Sequence, residues 1–286
     1  MKVPDFPSPK HLGPSNFLTI VRVALDVPLP RCFDYLAPEA TPADIGCRVR
    51  VPFGRRSVIG VIVGLPDDSA YAPAQLKPVE AILPEPRLPA DWFRLTEFCA
   101  AYYQAPLGEV MLSTLPAGLR RVDPPKAREP KPAKECLLPT LAPELTTEQQ
   151  AALAAVREHA DGFRPFLLFG VTGSGKTEVY LSLIADALAK NGQVLVLVPE
   201  INLTPQLEAR VAGRFPAAGL VSLHSELTEA ARLRNWKAAF SGQARIVLGT
   251  RLSVFTPLPD LALIIVDEEH DSSFKQQDGM RYSARA

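Results

Sequence analysis

The order of apolar and polar positions divides the chain into two differently patterned parts. In the first, residues 17–25 (Phe-Leu-Thr-Ile-Val-Arg-Val-Ala-Leu), 47–53 (Cys-Arg-Val-Arg-Val-Pro-Phe) and 58–63 run at or near period two, which predicts strands. Residues 92–103 place apolar side chains at helical spacing and predict an amphipathic helix that closes a small β-rich domain. Residues 122–144 are too rich in proline and charge to pack and read as a semi-rigid linker. Beyond it, short apolar runs at 166–169, 194–198, 220–223, 245–248 and 263–266 alternate with helical stretches such as 178–190 and 230–240. Such alternation requires βα crossovers, hence a parallel sheet with helices on both faces. The expected organisation is a proline-rich leader (1–15), a β-rich domain (16–121), the linker (122–144) and an α/β domain (145–286).

The α/β part carries the chemistry. Gly170, Val171, Thr172, Gly173, Ser174, Gly175, Lys176 and Thr177 fit G-x-x-x-x-G-K-[ST], between a predicted strand and a predicted helix. Glycines let the backbone curl so that successive amides and the helix N-terminus face a phosphate, and Lys176 adds a point charge. Thr177 supplies a hydroxyl for Mg²⁺. The run 263–266 delivers Asp267 and Glu268 to the C-terminal end of a strand, where open α/β sheets bind ligands. Asp267 would hold Mg²⁺, and Glu268 would orient and deprotonate the water that attacks the γ-phosphate. Lys176 and Glu268 are thus the catalytic candidates, and ATP with Mg²⁺ the implied cofactors. Glu269 and His270 have no necessary part in hydrolysis and are placed to sense the nucleotide.

Composition narrows the frame. The 286 residues are 47% hydrophobic and 22% charged, ordinary for about two globular domains. Cys32, Cys47, Cys99 and Cys136 show no C-x-x-C spacing, so neither a zinc site nor a disulfide framework is indicated. No apolar run approaches the ~20 residues that cross a bilayer, and the proline-rich start is no signal peptide, so a cytoplasmic protein is expected. Formal net charge is zero, and any nucleic-acid contact must come from local clusters. Two exist: Arg48, Arg50, Arg55 and Arg56, and then Arg120, Arg121, Lys126, Arg128, Lys131 and Lys134. Solubilising arginines and phosphate contacts are equally compatible with them.

A set of longer segments resembles the PriA family, the superfamily 2 helicases of replication restart. They are Leu145-Thr-Thr-Glu-Gln149, the phosphate loop through Tyr180, Val198-Pro-Glu-Ile-Asn-Leu-Thr-Pro-Gln206, Leu223-His-Ser225, Gly249-Thr-Arg251, the stretch from Asp267 to Gln277, and Gly279-Met-Arg-Tyr282. Val27-Pro-Leu-Pro-Arg-Cys-Phe-Asp-Tyr35 and Gly46-Cys-Arg-Val-Arg-Val-Pro-Phe-Gly54 are similar to that family's domain for a DNA 3′ end. The resemblance implies a RecA-like P-loop lobe preceded by a small β-rich 3′-end DNA-binding domain. Gln149 would read the adenine edge; Thr204, Gln206, Thr250 and Arg251 would touch the backbone of a single strand. Phe33, Asp34, Gly54 and Lys77 match the pocket for a terminal nucleotide, in which Phe33 stacks on a base and Asp34 accepts a hydrogen bond from the 3′-hydroxyl. Phe274, Lys275, Gln276, Arg281 and Tyr282 match an aromatic-rich loop that, with His270, couples DNA contact to hydrolysis.

Function follows as expectation: an ATP-dependent 3′ to 5′ DNA helicase that assembles a primosome at stalled forks. Its implied partners are forked DNA with a 3′ end, single-stranded DNA, restart proteins and single-stranded DNA-binding protein, and no membrane. Three departures qualify this. No winged-helix domain is evident at 122–144, and Met280 stands where an aromatic is common. The second motor lobe, with its arginine finger and a zinc-binding insertion, would lie beyond residue 286, so these residues alone are expected to bind DNA and nucleotide without unwinding. The alternatives are a non-motor, nucleotide-gated DNA-end adaptor and a translocase subunit of a restriction or repair complex.

Overall fold

Tight hairpins build the first part of the molecule and parallel crossovers the second, in a computed structural model that describes residues 19–122, 143–159, 162–171, 173–199 and 205–285. Residues up to Leu25 with Arg31–Arg87 make one compact unit; Asp26–Pro30 and Leu88–Ala286 make the other. The leader, nearly all of the linker, Cys136, Thr172 and Thr204 fall outside the described residues.

The first unit is an antiparallel sheet of β1 (Ile20–Leu25), β2 (Phe33–Leu36), β3 (Arg48–Phe53), β4 (Arg56–Gly64) and β5 (Ala81–Leu83), in the order β2-β1-β4-β3-β5. Phe53 pairs with Arg56, so Gly54 and Arg55 form a two-residue turn. Gly54 has φ 61°, the left-handed first position that glycine adopts without strain. Period-two alternation turns Val21, Val23, Val49, Val51 and Val61 inward. The sheet closes on itself. Leu36 N–H donates to the Lys77 carbonyl and Val79 N–H to the Leu36 carbonyl, each at 2.9 Å, while Glu80 N–H reaches Arg50 O on the far side. The strands read at 17–25, 47–53 and 58–63 correspond to β1, β3 and β4, whereas β2 and β5 are too short to show a period.

In the second unit come α1 (Ala90–Tyr102), α2 (Leu107–Thr114), α3 (Ala117–Arg120) and α4 (Thr147–Arg157). Then α5 (Lys176–Ala189), β6 (Gln193–Leu197), α6 (Pro205–Arg214), β7 (Leu220–Leu223), α7 (Glu229–Phe240), β8 (Ile246–Gly249) and β9 (Leu261–Val266) alternate. The four strands are parallel in the order β7-β8-β6-β9. Leu181 and Ile184 of α5 pack with Val194, Val196, Ile246, Leu248 and Ile265 in the core. Gln193 is fully buried at the start of β6, yet its amide is satisfied: it donates to Ala239 O and Ala244 O and accepts from Asp260 N–H. Helices α1 to α3 belong to this unit; Gly118 lets α3 approach Leu233 of α7, and Arg121 pairs with Glu229 at 2.8 Å.

One expected strand is not formed. The run 166–169 makes no ladder, and Phe166, Leu167 and Phe169 stand in solvent, Phe169 at 92% exposure. An apolar run states a preference for burial but does not supply the edge that would pair its backbone. The outer strand β9 correspondingly leaves Leu261 and Ile264 exposed.

Candidate functional site

The phosphate loop is shaped by its glycines. Gly173 and Gly175 have φ 81° and 83°, conformations that cost an L-residue ~1–2 kcal/mol, and Gly175 caps α5 at Lys176. Lys176 Nζ folds back and donates to the carbonyls of Gly170 (2.7 Å) and Val171 (3.4 Å). A cation whose described partners are neutral carbonyls keeps its charge for an anion arriving at the loop. Gln149 is tied to the same loop. It forms a capping box with Thr146 at the start of α4 and donates from Nε2 to Gly175 O at 3.2 Å.

Asp267 follows directly on β9, its N–H extending the ladder to Leu197 O at 2.9 Å. Tyr180 of α5 donates its hydroxyl to Asp267 Oδ1 at 3.2 Å. Burial raises the Asp267 carboxyl above the ordinary carboxylate range, helped by the charge of Glu268 and opposed by the Tyr180 hydrogen bond and Lys176. Burial and the neighbouring acids push the Tyr180 phenol up as well. Glu268 sits at φ 48°, left-handed for a non-glycine residue, and its carboxylate lies 3.8 Å from exposed His270. Strain of this kind persists only where surrounding structure holds it. Lys176 is close enough to Asp267 to lower its pKa, so the loop and the strand end share one field. No group of three or more His, Cys, Asp or Glu side chains among the described residues forms a metal cage, so a cation here would need ligand oxygens besides the protein's.

The residues read as touching a strand divide. Gln206 is exposed at the start of α6, Thr250 is buried after β8, and Thr204 lies outside the described residues. Arg251 is locked to the aromatic-rich loop: its Nε donates to Gln276 Oε1 at 2.6 Å and its Nη1 to Ser273 O at 3.1 Å. Phe274 is 1% exposed, and Tyr282 is buried edge-on to Phe255 at 4.9 Å. Both aromatics therefore anchor the loop inward. Lys275 and Arg281 remain outside, with Lys275 Nζ 2.5 Å from Arg281 O and 5.3 Å from the Tyr103 ring of the α1 C-terminus. Ser283 N–H donates to that tyrosine's hydroxyl at 3.2 Å.

In the first unit, Phe33, Asp34, Gly54 and Lys77 lie on adjoining parts of the closed sheet. The Phe33 ring meets Phe53, the residue before Gly54, edge-on at 5.2 Å, and Lys77 bonds β2 through its carbonyl. Asp34, with a side chain 8% exposed, accepts from Arg22 Nε (2.8 Å) and Nη2 (3.1 Å) and from Ser69 Oγ (2.8 Å). Burial raises its pKa, but these hydrogen bonds and the Arg22 charge outweigh that and hold the carboxyl below its ordinary value. Arg31 lies 5.4 Å from the Phe33 ring centroid and donates to Tyr71 OH. Arg22, Ser69 and Arg31 were missed in the sequence; only the cross-strand register Arg22↔Asp34 gives Arg22 away. The first arginine cluster separates too: Arg48 is buried on Glu85 O and Arg50 pairs with Glu80, while Arg55 and Arg56 face solvent.

Residues 22–116 match the family model of the 3′DNA-binding domain, and residues 146–286 match that of the DEAD/DEAH box helicases. The chain is 37% identical to the replication restart protein PriA of Haemophilus influenzae, over 94% of this chain and 46% of that protein. It is 35% identical to that of Rickettsia conorii, over 94% of this chain and 40% of that protein. The protein of the same name from Synechocystis is 53% identical over 47% of this chain. The chain thus spans less than half the length of these relatives. The alignment with the Haemophilus protein runs over 342 positions, more than this chain's 286 residues, whereas that with the Rickettsia protein runs over 269. The extra residues of the former therefore lie within the matched stretch.

Proposed function

The chain belongs to the PriA family of replication restart proteins, and from that premise we propose that it is the part of a 3′ to 5′ DNA helicase that captures a strand's 3′ end and binds the fuel. The observation that carries this is the coexistence, in one chain, of the Asp34 carboxylate beside Phe33 with the Lys176 loop near Asp267. Gly173 to Thr177 would hold a nucleoside triphosphate's phosphates, and Thr177 with Asp267 would hold Mg²⁺ through the oxygens those groups share. The bound metal–nucleotide pair supplies the phosphoanhydride and the charge that polarises it. Glu268 is the base: its carboxylate takes the proton of the attacking water. His270, beside Glu268, reports that state to the loop at 272–285, which Arg251 joins to the strand-contact residues. These residues would bind DNA and nucleotide; strand separation and primosome assembly are assigned to the whole protein.

At the DNA end, Asp34 accepts the 3′-hydroxyl and Phe33 stacks on the terminal base. A 3′-phosphate is rejected by the carboxylate. The test is fluorescence anisotropy with strands ending in 3′-hydroxyl or 3′-phosphate at one fixed salt concentration. The hydroxyl end should bind more tightly. Asp34→Ala leaves Arg22 without its carboxylate, so the preference should not only vanish but turn toward the phosphate. Equal binding of both ends by the parent chain would remove the end-capture reading.

A further inference from the structure

A cavity of about 360 Å³ opens within the second unit, walled by α2 and α3 on one side and by α7 and the segments after β7 and β8 on the other. Its volume suits one nucleotide, and a duplex could not enter. Among the described residues three cations line it, Arg120, Arg232 and Arg251, against the single acid Asp278. Arg232 donates to the carbonyls of His224 (3.1 Å) and Ser225 (2.8 Å), which fix the guanidinium without neutralising it. Two buried donors have no hydrogen-bond partner among the described residues: Nε of Arg120 and Nε1 of Trp236, a residue only 3% exposed. Unpaired buried donors cost ~1–3 kcal/mol each, and an anion's oxygens would satisfy them. Met280 and Leu252 give the cavity an apolar side.

We propose that this cavity seats one nucleotide of a single DNA strand, with Arg120 and Arg232 each on one of the two phosphates that flank it, so that α3 forms the second wall of the strand's path. The proposal rests on the reading of Thr250 and Arg251 as strand contacts. What it adds is Arg120, a residue from the helices that precede the ATPase lobe. Gly118 against Leu233 and the Arg121–Glu229 pair hold α3 where Arg120 can serve.

The test is anisotropy of the chain with a single-stranded oligonucleotide blocked by a 3′-phosphate, titrated across salt concentrations. Arg120→Gln should weaken binding roughly tenfold, the scale of one charge-assisted hydrogen bond, and flatten the salt slope by about 0.7, one phosphate contact on a single strand. Arg120→Lys should restore the slope. If Arg120→Gln binds with the parent's affinity and slope while Arg251→Gln binds weakly, the proposal falls and the strand reading stands. If neither variant changes binding, the strand reading falls and takes the proposal with it. A second measurement is independent of any change at Arg120. In a Trp92→Phe background, where Trp236 is the remaining tryptophan, the oligonucleotide should quench its emission; unchanged emission at saturating oligonucleotide overturns the proposal.

Discussion

In its proposed role at the metal, Asp267 would serve chemistry at the expense of stability. Burial raises its pKa in the folded chain, so the fold binds this proton more tightly than the unfolded chain does. Its contribution to stability is therefore complete below the ordinary carboxylate pKa of ~4 and is lost as pH rises through the raised value. Near neutrality the ionised group works against folding. Asp267→Asn, which can keep the Tyr180 hydrogen bond, is expected to melt higher than the parent at neutral pH, with the gap closing as pH falls toward ~4, and to weaken Mg²⁺-dependent nucleotide binding. A thermal melt showing no gain at neutral pH would contradict this account. Lys176 could be proposed from a glycine loop, and Asp267 and Glu268 from the end of an apolar run, because each lies in a short local segment. Arg22, Ser69 and Tyr180 were not, because they reach their partners across strands or between a helix and a strand end, over separations that no local pattern encodes.

Among the elements, the turn into α5 is where sequence and conformation agree most closely. Gly175 is left-handed, and an added Cβ would strike the Gln149 side chain that bonds its carbonyl. Gly175→Ala should cost ~1–2 kcal/mol from backbone strain alone, a drop of a few degrees in melting temperature for a unit of this size, and should weaken nucleotide binding. Nucleotide binding at the parent's affinity, measured by fluorescent-nucleotide titration, would show that the loop tolerates a different shape. The strands β6 to β9 were legible as apolar runs flanked by helices; the inner strands β6 and β8 show the clearest runs because a strand inside a parallel sheet buries both faces. The run 166–169 has the same composition and no ladder. Composition reports the wish to be buried, while pairing depends on an edge elsewhere in the chain. The stretch 92–103 carried a helical period and corresponds to α1, whereas α2 and α3 were not read, and a period does not say which unit an apolar stripe faces.

At the scale of the whole molecule, a formal net charge of zero removes long-range attraction to DNA and leaves only local cations. With Arg120, Arg232 and Arg251 as the strand-facing set, affinity for a 3′-blocked single strand should fall with salt at a logarithmic slope of about −2. A slope near zero would mean that phosphates are not contacted. A slope steeper than about −5 would mean that Arg55, Arg56 and the basic residues between 123 and 142 join them. The division into a β-rich part and an α/β part was visible from the change of period alone. The basic clusters were visible but could not be sorted. It takes the fold to show that Arg48 and Arg50 hold the sheet together, Arg121 fixes a helix, and Arg120 faces a cavity.

The capping box at Thr146 and Gln149 has a consequence for how the nucleotide's base is told apart from others. The side-chain amide of Gln149 commits one lone pair to Thr146 N–H and one N–H to Gly175 O, which leaves one acceptor site and one donor free. Adenine's N6 amino group and N7 offer the complementary pair. In its proposed role the amide is thus aimed before any base arrives, and the rotamer freedom that recognition would cost is already lost when α4 starts to wind. Selectivity among purines then depends on two main-chain groups, the Thr146 N–H and the Gly175 carbonyl, that hold the reading amide in place before any ligand arrives.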